Sequence, residues 1–271
     1  MAMPLADFRI TSGKNFSLDG FNADAKPLSS GDKAADQARL TELSTHLDAQ
    51  QDIFYAEHRR KLLIVLQGMD TSGKDGTVRG VFRSFDPLGI RVVSFKSPTA
   101  EELAHDYLWR IHAQVPRAGE IVVFNRSHYE DVLITRVHDW IDEAECERRY
   151  KQLRAFETML METGTTIVKC FLHISKDEQK SRLEARLADP QKHWKFDQKD
   201  LEERQYWKNY MAAYEAAIAA TSTPEAPWYI VPADSKTHRN LMVAEILAEV
   251  FGKLKPQYPA GKPELAKLKV V

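Results

Sequence analysis

Five short runs rich in apolar and β-branched residues, at 62–66, 91–95, 121–124, 165–174 and 228–231, read as strands. Between them the apolar positions fall at helical spacing. Leu40, Leu43 and Leu47, continued by Ile53 and Phe54, predict a helix over about 35–60. Further helices are predicted over 77–85, 100–115, 143–162 and 237–253, with a helical but broken stretch over 175–214. Asp86-Pro87-Leu88-Gly89 and Pro116-Arg117-Ala118-Gly119 are turns, and Gly164 suits a helix C-cap. Strands alternating with helices predict an α/β protein, a doubly wound five-stranded parallel sheet in three layers. Residues 1–34 lack periodicity and read as an extended arm, 35–255 as one domain, and 256–271, with its repeated Pro and Lys, as a tail.

The first strand runs directly into Gly68-Met69-Asp70-Thr71-Ser72-Gly73-Lys74-Asp75-Gly76, and a helix follows. Glycine, four residues, glycine and lysine at a strand-to-helix junction form a phosphate-binding loop. The glycines let successive N–H groups, those of Met69, Asp70, Thr71, Ser72, Gly73 and Gly76 among them, converge on one anion at a helix N-terminus. Lys74 adds a full cation. The residue after this lysine is ordinarily Ser or Thr, a magnesium ligand, but here it is Asp75. Asp75 is either a replacement oxygen ligand or an acid favoured by the helix dipole. Asp70 would repel phosphate unless a cation intervened, which makes it a metal-ligand candidate.

Three other stretches carry candidate chemistry. Lys96 stands at the carboxyl end of its strand, the ligand side of open α/β sheets. Asn125-Arg126-Ser127-His128-Tyr129-Glu130-Asp131 follows the third strand, where phosphate-loop enzymes carry a second magnesium-handling group, normally Asp. Arg126 would project toward phosphates, and Glu130 is the nearby metal candidate; His128 and His138 read as packing or surface histidines and His173 as a core one. Over about 176–206, Arg182, Arg186, Lys192 and Lys195 flank a break at Pro190. A hinged basic segment there suits a helical lid whose arginines close over a transferring phosphate. The cluster His58-Arg59-Arg60-Lys61 is either a cationic helix end or a basic wall beside the loop.

Composition narrows the classes. The 271 residues are 43% hydrophobic and 28% charged, with net charge −1, so no global basic field points to nucleic acid. Two cysteines, Cys146 and Cys170, form no disulfide framework and suit a reducing compartment. The N-terminus has no basic region followed by an apolar core, and no run reaches spanning length, so the expectation is a cytoplasmic protein without membrane contact.

The loop with its Asp70/Asp75 pair resembles that of the family 2 polyphosphate kinases, phosphotransferases with a thymidylate-kinase-like core. Phe124-Asn125-Arg126-Ser127-His128-Tyr129 looks like that family's next motif, and Arg182-Leu183-Glu184-Ala185-Arg186, Asp189-Pro190 and His193-Trp194-Lys195 are similar to its lid. The resemblance covers about 35–255. It implies reversible, Mg2+-dependent transfer (Mn2+ is the alternative ion) between inorganic polyphosphate and adenine, or also guanine, nucleotides. Asp70, Lys74, Arg126, Arg182 and Arg186 would be catalytic, with Asp70 and Glu130 holding metal. Lys96 and Lys195 would join the loop in binding phosphate. Asn125, where many members have Asp, together with His128 and Glu130-Asp131 looks like the branch accepting AMP and ADP. The family suggests a homo-oligomer, dimer or tetramer. Competing readings are an ATP-dependent nucleoside monophosphate kinase and a non-catalytic polyphosphate- or nucleotide-binding protein.

Overall fold

The computed structural model describes residues 4–263 and 268. A short strand β1 (Arg9–Ile10) and a long helix α1 (Lys33–Glu57) precede the central strand β2 (Lys61–Gln67) and helix α2 (Lys74–Val81). Next come β3 (Ile90–Ser94), two single-turn helices α3 (Ala100–Leu103) and α4 (Trp109–His112), and β4 (Ile121–Asn125). Helices α5 (Glu130–Val137) and α6 (Glu143–Glu162) lead to β5 (Thr165–His173). The chain closes with α7 (Lys176–Leu187), α8 (Lys199–Gln205), α9 (Trp207–Thr221), β6 (Trp228–Pro232) and α10 (Lys236–Leu254).

The strand order is β1-β6-β5-β2-β4-β3, with β2 to β6 all parallel. Leu62 to Gln67 are fully buried because β2 has parallel partners on both edges and helices on both faces. Helices α1, α2 and α10 pack together, as do α5, α6 and α9, which gives the three layers. Side-chain caps start the long helices: Asp32 on α1, Asp142 on α6, Ser175 on α7 and Ser235 on α10.

The sheet has six strands rather than the expected five. Arg9 and Ile10 pair antiparallel with Tyr229 and Trp228, and Leu5, Leu18 and Ala23 of the same arm are buried. A two-residue strand has no period to detect, so residues 1–34 read as a plain arm. The expected helix at 100–115 is two single turns, the first closed in a Thr99/Glu102 capping box. Helix α1 stops at Glu57 because His58 takes a left-handed conformation at φ 53°. The His58–Lys61 cluster therefore sits at the amino end of β2, a strand length of ~20 Å from the loop at its other end. It forms no wall beside the phosphates; Arg60 instead caps the carbonyl of Leu254 at the end of α10. Residues 256–262 form neither helix nor strand, and most of the remaining tail lies outside the described residues.

Candidate active site

The phosphate loop leaves the carboxyl end of β2 in backbone conformations that the sequence makes accessible. Gly68 has φ 150°, and a Cβ there would lie 2.7 Å from the Leu172 carbonyl oxygen. Gly73 has φ 105° and opens α2 without a side-chain cap, which leaves the first N–H groups of the helix unclaimed. Lys74 is buried, and its Nζ donates to the carbonyls of Gly68 (2.6 Å) and Met69 (3.2 Å). Burial and then the like charge of Arg126 depress its pKa from 10.5 to about 8.

The turn after β4 faces this loop because β2 and β4 are register neighbours, Leu66 beside Asn125. Asn125 Nδ2 donates to Asp75 Oδ1 at 2.7 Å, and Arg126, left-handed at φ 61°, pairs with Asp70. Burial pushes Asp70 up, but Arg126 and Lys74 outweigh it and hold the carboxylate below its ordinary range. Glu130, at the start of α5, and Asp70 together hold Arg126 above its ordinary value. Behind the turn, His128, Tyr129, Glu157 and Lys169 form a fully buried hydrogen-bonded cluster, with Lys169 Nζ 2.7 Å from Glu157.

Two cavities flank the loop. The larger, about 680 Å³, brings together Asp70, Thr71, Gly73, Lys74, Asp75 and Gly76 with Lys96, Asn125, Arg126, Arg186 and Lys195. The smaller, about 290 Å³, lies against the same Thr71, Gly73 and Gly76 and carries Arg182, Arg186, Lys192, Lys195, Lys236 and Arg239 with one acid, Glu178. Met69 and Ser72 are buried in the loop and line neither cavity, and the Ser72 N–H, expected to face the phosphate, donates to Met69 O at 3.0 Å; Glu130 acts on the first cavity through its charge on Lys74 and Arg126.

The expected lid is α7, a 3-10 turn (Pro190–Lys195) and α8. Its two arginines have different positions. Arg186 lines both cavities and is held by Lys195 O (3.2 Å) and Asp200 (3.3 Å). Arg182 lines the smaller cavity, but its guanidinium is engaged within the protein. Its donors are all spent on Glu178 and on four backbone carbonyls beneath the loop. The sequence reading also missed Arg79, Trp194, Asp197 and Asp200 as lining residues, and Arg239 altogether. A lone arginine in the first turn of a C-terminal helix carries no signal. Burial and the charge of Asp70 push Asp200 up to about 6.

Among the described residues, no three His, Cys, Asp or Glu side chains stand together as a metal cage. The loop does present hard oxygens to the larger cavity: the carboxylates of Asp70 and Asp75 and the unpartnered hydroxyl of Thr71. Such a partial set fits Mg2+, which takes one or two carboxylates and completes its shell from water and substrate phosphates.

Comparison with known proteins agrees with this geometry. Residues 30–258 match the family model "Polyphosphate kinase 2 (PPK2)". The AMP/ADP-polyphosphate phosphotransferase of Meiothermus ruber is 50% identical over 264 residues, 97% of this chain and 98% of that one. The ADP-polyphosphate phosphotransferase of Rhodopseudomonas palustris is 42% identical over 97% of this chain and 95% of its own. The crystal structure of Polyphosphate Kinase 2 from Arthrobacter aurescens TC1 superposes with TM-score 0.93 at 47% identity, covering 96% of this chain and 93% of that one. The chain belongs to the Polyphosphate kinase 2 family.

Proposed function

We propose that this protein transfers the terminal phosphate of inorganic polyphosphate to AMP and ADP, yielding ADP and ATP, and that the transfer is reversible. The observation that carries the reading is a phosphate loop standing between two cationic cavities, the larger also lined by Asp70, Asp75, Asp197 and Asp200 and the smaller by Glu178 alone among acids. The mixed, larger cavity suits a nucleotide. The smaller one, whose cations face a single acid, Glu178, suits a polyanion with no other recognisable feature. The names of the relatives at 50% and 42% identity support the same substrates.

In this reading a phosphate oxygen of the nucleotide forms a bond to the terminal phosphorus. The bond from that phosphorus to the bridging oxygen breaks, and polyphosphate one unit shorter leaves. The attacking oxygen is already anionic near pH 7, so no strong general base is needed. The obstacle is repulsion between two polyanions, which positioning and cations overcome. Lys74 and the loop amides hold the transferring group, with Arg126 and Arg186 beside it. Asp70, with Glu130 nearby, would hold Mg2+, or Mn2+ in its place, and the ion neutralises phosphate charge. The same reading takes the protein as a cytoplasmic homo-oligomer, dimer or tetramer, with no nucleic-acid or membrane partner. Among the described residues, no helix is long and apolar enough to cross a membrane.

The test is incubation with Mg2+, polyphosphate and AMP or ADP, without ATP. ADP and ATP should form. Failure of both conversions in folded protein overturns the reading, and AMP turnover only with ATP as donor favours a monophosphate kinase. Adding GMP and GDP fixes the base preference, and light scattering fixes the assembly.

A further inference from the structure

Peptide N–H groups converge on a phosphate only if the carbonyls of the same segment turn elsewhere. In this loop five consecutive carbonyls are each taken by a side chain. Gly68 O and Met69 O accept from Lys74 Nζ. Asp70 O accepts from Gln179 Nε2 at 3.0 Å. Thr71 O and Ser72 O accept from Arg182 Nη1 at 2.9 and 3.2 Å, and Ser72 O also from Arg239 Nη1 at 3.3 Å.

Lys74 is part of the phosphate machinery, but the other three donors come from outside the loop. Gln179 and Arg182 lie three residues apart on one face of α7, and Arg239 is in the first turn of α10. Gln179 is 0% exposed and Arg239 2%; the Arg182 side chain, 9% exposed, is partly buried at the wall of the smaller cavity. Arg182 has no donor left over. Its Nε binds Glu178 at 2.7 Å, and its Nη2 binds Ala233 O and Asp234 O at 2.7 and 2.8 Å. One guanidinium thereby ties α7, the phosphate loop and the turn after β6 together. Arg239 fills the space beneath the loop glycines. A Cβ on Gly73 would lie 1.9 Å from its Nη1, and one on Gly76 2.8 Å from its Nη2. Both arginines are cations beneath an anion site, and burial together with Arg182 lowers the pKa of Arg239 to about 10. Confining these charges costs free energy that a polyanion above the loop offsets.

We propose that Gln179, Arg182 and Arg239 are positioning residues: a buried scaffold that turns the loop carbonyls down and presets the N–H groups for the phosphates of polyphosphate. The scaffold touches no reacting atom. It also fixes the stem of the lid, so any closing motion begins beyond Arg182 and carries Arg186 and the 190–206 segment. The inference rests on the phosphate-transfer reading for the identity of the anion, and binding measured apart from turnover separates the two.

The probe is inorganic tripolyphosphate, titrated calorimetrically into wild type, Arg182→Lys, Arg182→Met and Gln179→Met. Hydrogen exchange is followed in parallel at the amides of 69–76. Lysine keeps the charge but loses the planar five-donor fork. Losing such bonds to a charged donor should weaken tripolyphosphate binding by about 10- to 100-fold in both Arg182 variants. Exchange in 69–76 should quicken by about tenfold or more while β4 and β5 stay protected. Gln179→Met removes one loop bond and no charge, and gives the same pattern at smaller size where Arg182→Met does not fold. Arg182→Lys indistinguishable from wild type in binding and exchange overturns the proposal. So does exchange that quickens equally throughout the sheet. Wild type that binds tripolyphosphate yet phosphorylates no nucleotide would overturn the functional reading and leave the scaffold standing.

Discussion

The depressed pKa of Lys74 gives a prediction that reads the site directly. Its ammonium is buried, faces Arg126, and titrates near 8 instead of 10.5. A displacement of that size is about 3 kcal/mol against the charged form. The unfolded chain binds more protons than the folded one between about 8 and 10.5, so this group makes stability rise with pH across that window. Activity should move the opposite way, because the phosphates need the cation. At pH 7 about nine-tenths of free enzyme carries the Lys74 charge, and at pH 9 only about one-tenth. Initial rates of ATP formation at limiting polyphosphate, between pH 6.5 and 10, should show kcat/KM falling with an apparent pKa near 8. The limb in kcat should lie higher, since bound phosphate favours the ammonium. Arg126→Gln removes the like charge and releases Asp70 toward Lys74, so its limb moves upward although its rate is lower. Lys74→Arg should lose the limb. A wild-type kcat/KM that stays level to pH 10 would refute the electrostatic account of the loop.

Gly73→Ala forces a left-handed φ on a side chain and drives its Cβ into Arg239. It should lower stability by about 2–4 kcal/mol in a denaturant melt and cut the rate by about 100-fold or more. Burial and Asp70 raise Asp200 from 3.8 to about 6, so its ionised form opposes folding above that range and not below pH 4. Asp200→Asn should therefore be more stable than wild type by about 2 kcal/mol at pH 7.5, with the gap closing by pH 4. Equal melting of the two proteins at pH 7.5 would count against this. Chelation with EDTA should abolish transfer without changing the far-UV spectrum, and Mg2+ or Mn2+ should restore it; full activity in EDTA would remove the metal from the account.

Local signals carried most of the fold. The runs at 62–66 and 121–124 are strands because they lack the polar positions an exposed face requires, and the loop was legible from glycine spacing at a strand end. The candidates Asp70, Lys74, Asp75, Lys96, Arg126, Arg186 and Lys195 line one cavity because strand order and register bring β2 and β4 side by side. What stayed hidden depends on contacts distant in sequence. Strand β1 exists through its pairing with β6, some 220 residues on. Arg182 looked equivalent to Arg186, four residues away, and both line the smaller cavity, yet the donors of Arg182 are spent on Glu178, the loop and the turn after β6. They share one helix face, and Arg182 lies a turn nearer the carbonyls of Ala233 and Asp234, a contact no periodicity encodes. Arg239 and the Glu157–Lys169 pair are charges in positions that composition assigns to solvent.

The central claim is that one glycine-lined cradle receives the phosphate that changes owner. A crystal structure with Mg2+, a non-transferable nucleotide analogue and tripolyphosphate tests it most directly. The account predicts a phosphate on the amides of 69–76 within reach of Lys74, with the nucleotide in the 680 Å³ cavity and the polyphosphate tail along the basic one. Ligands bound elsewhere, with those amides empty, would contradict it.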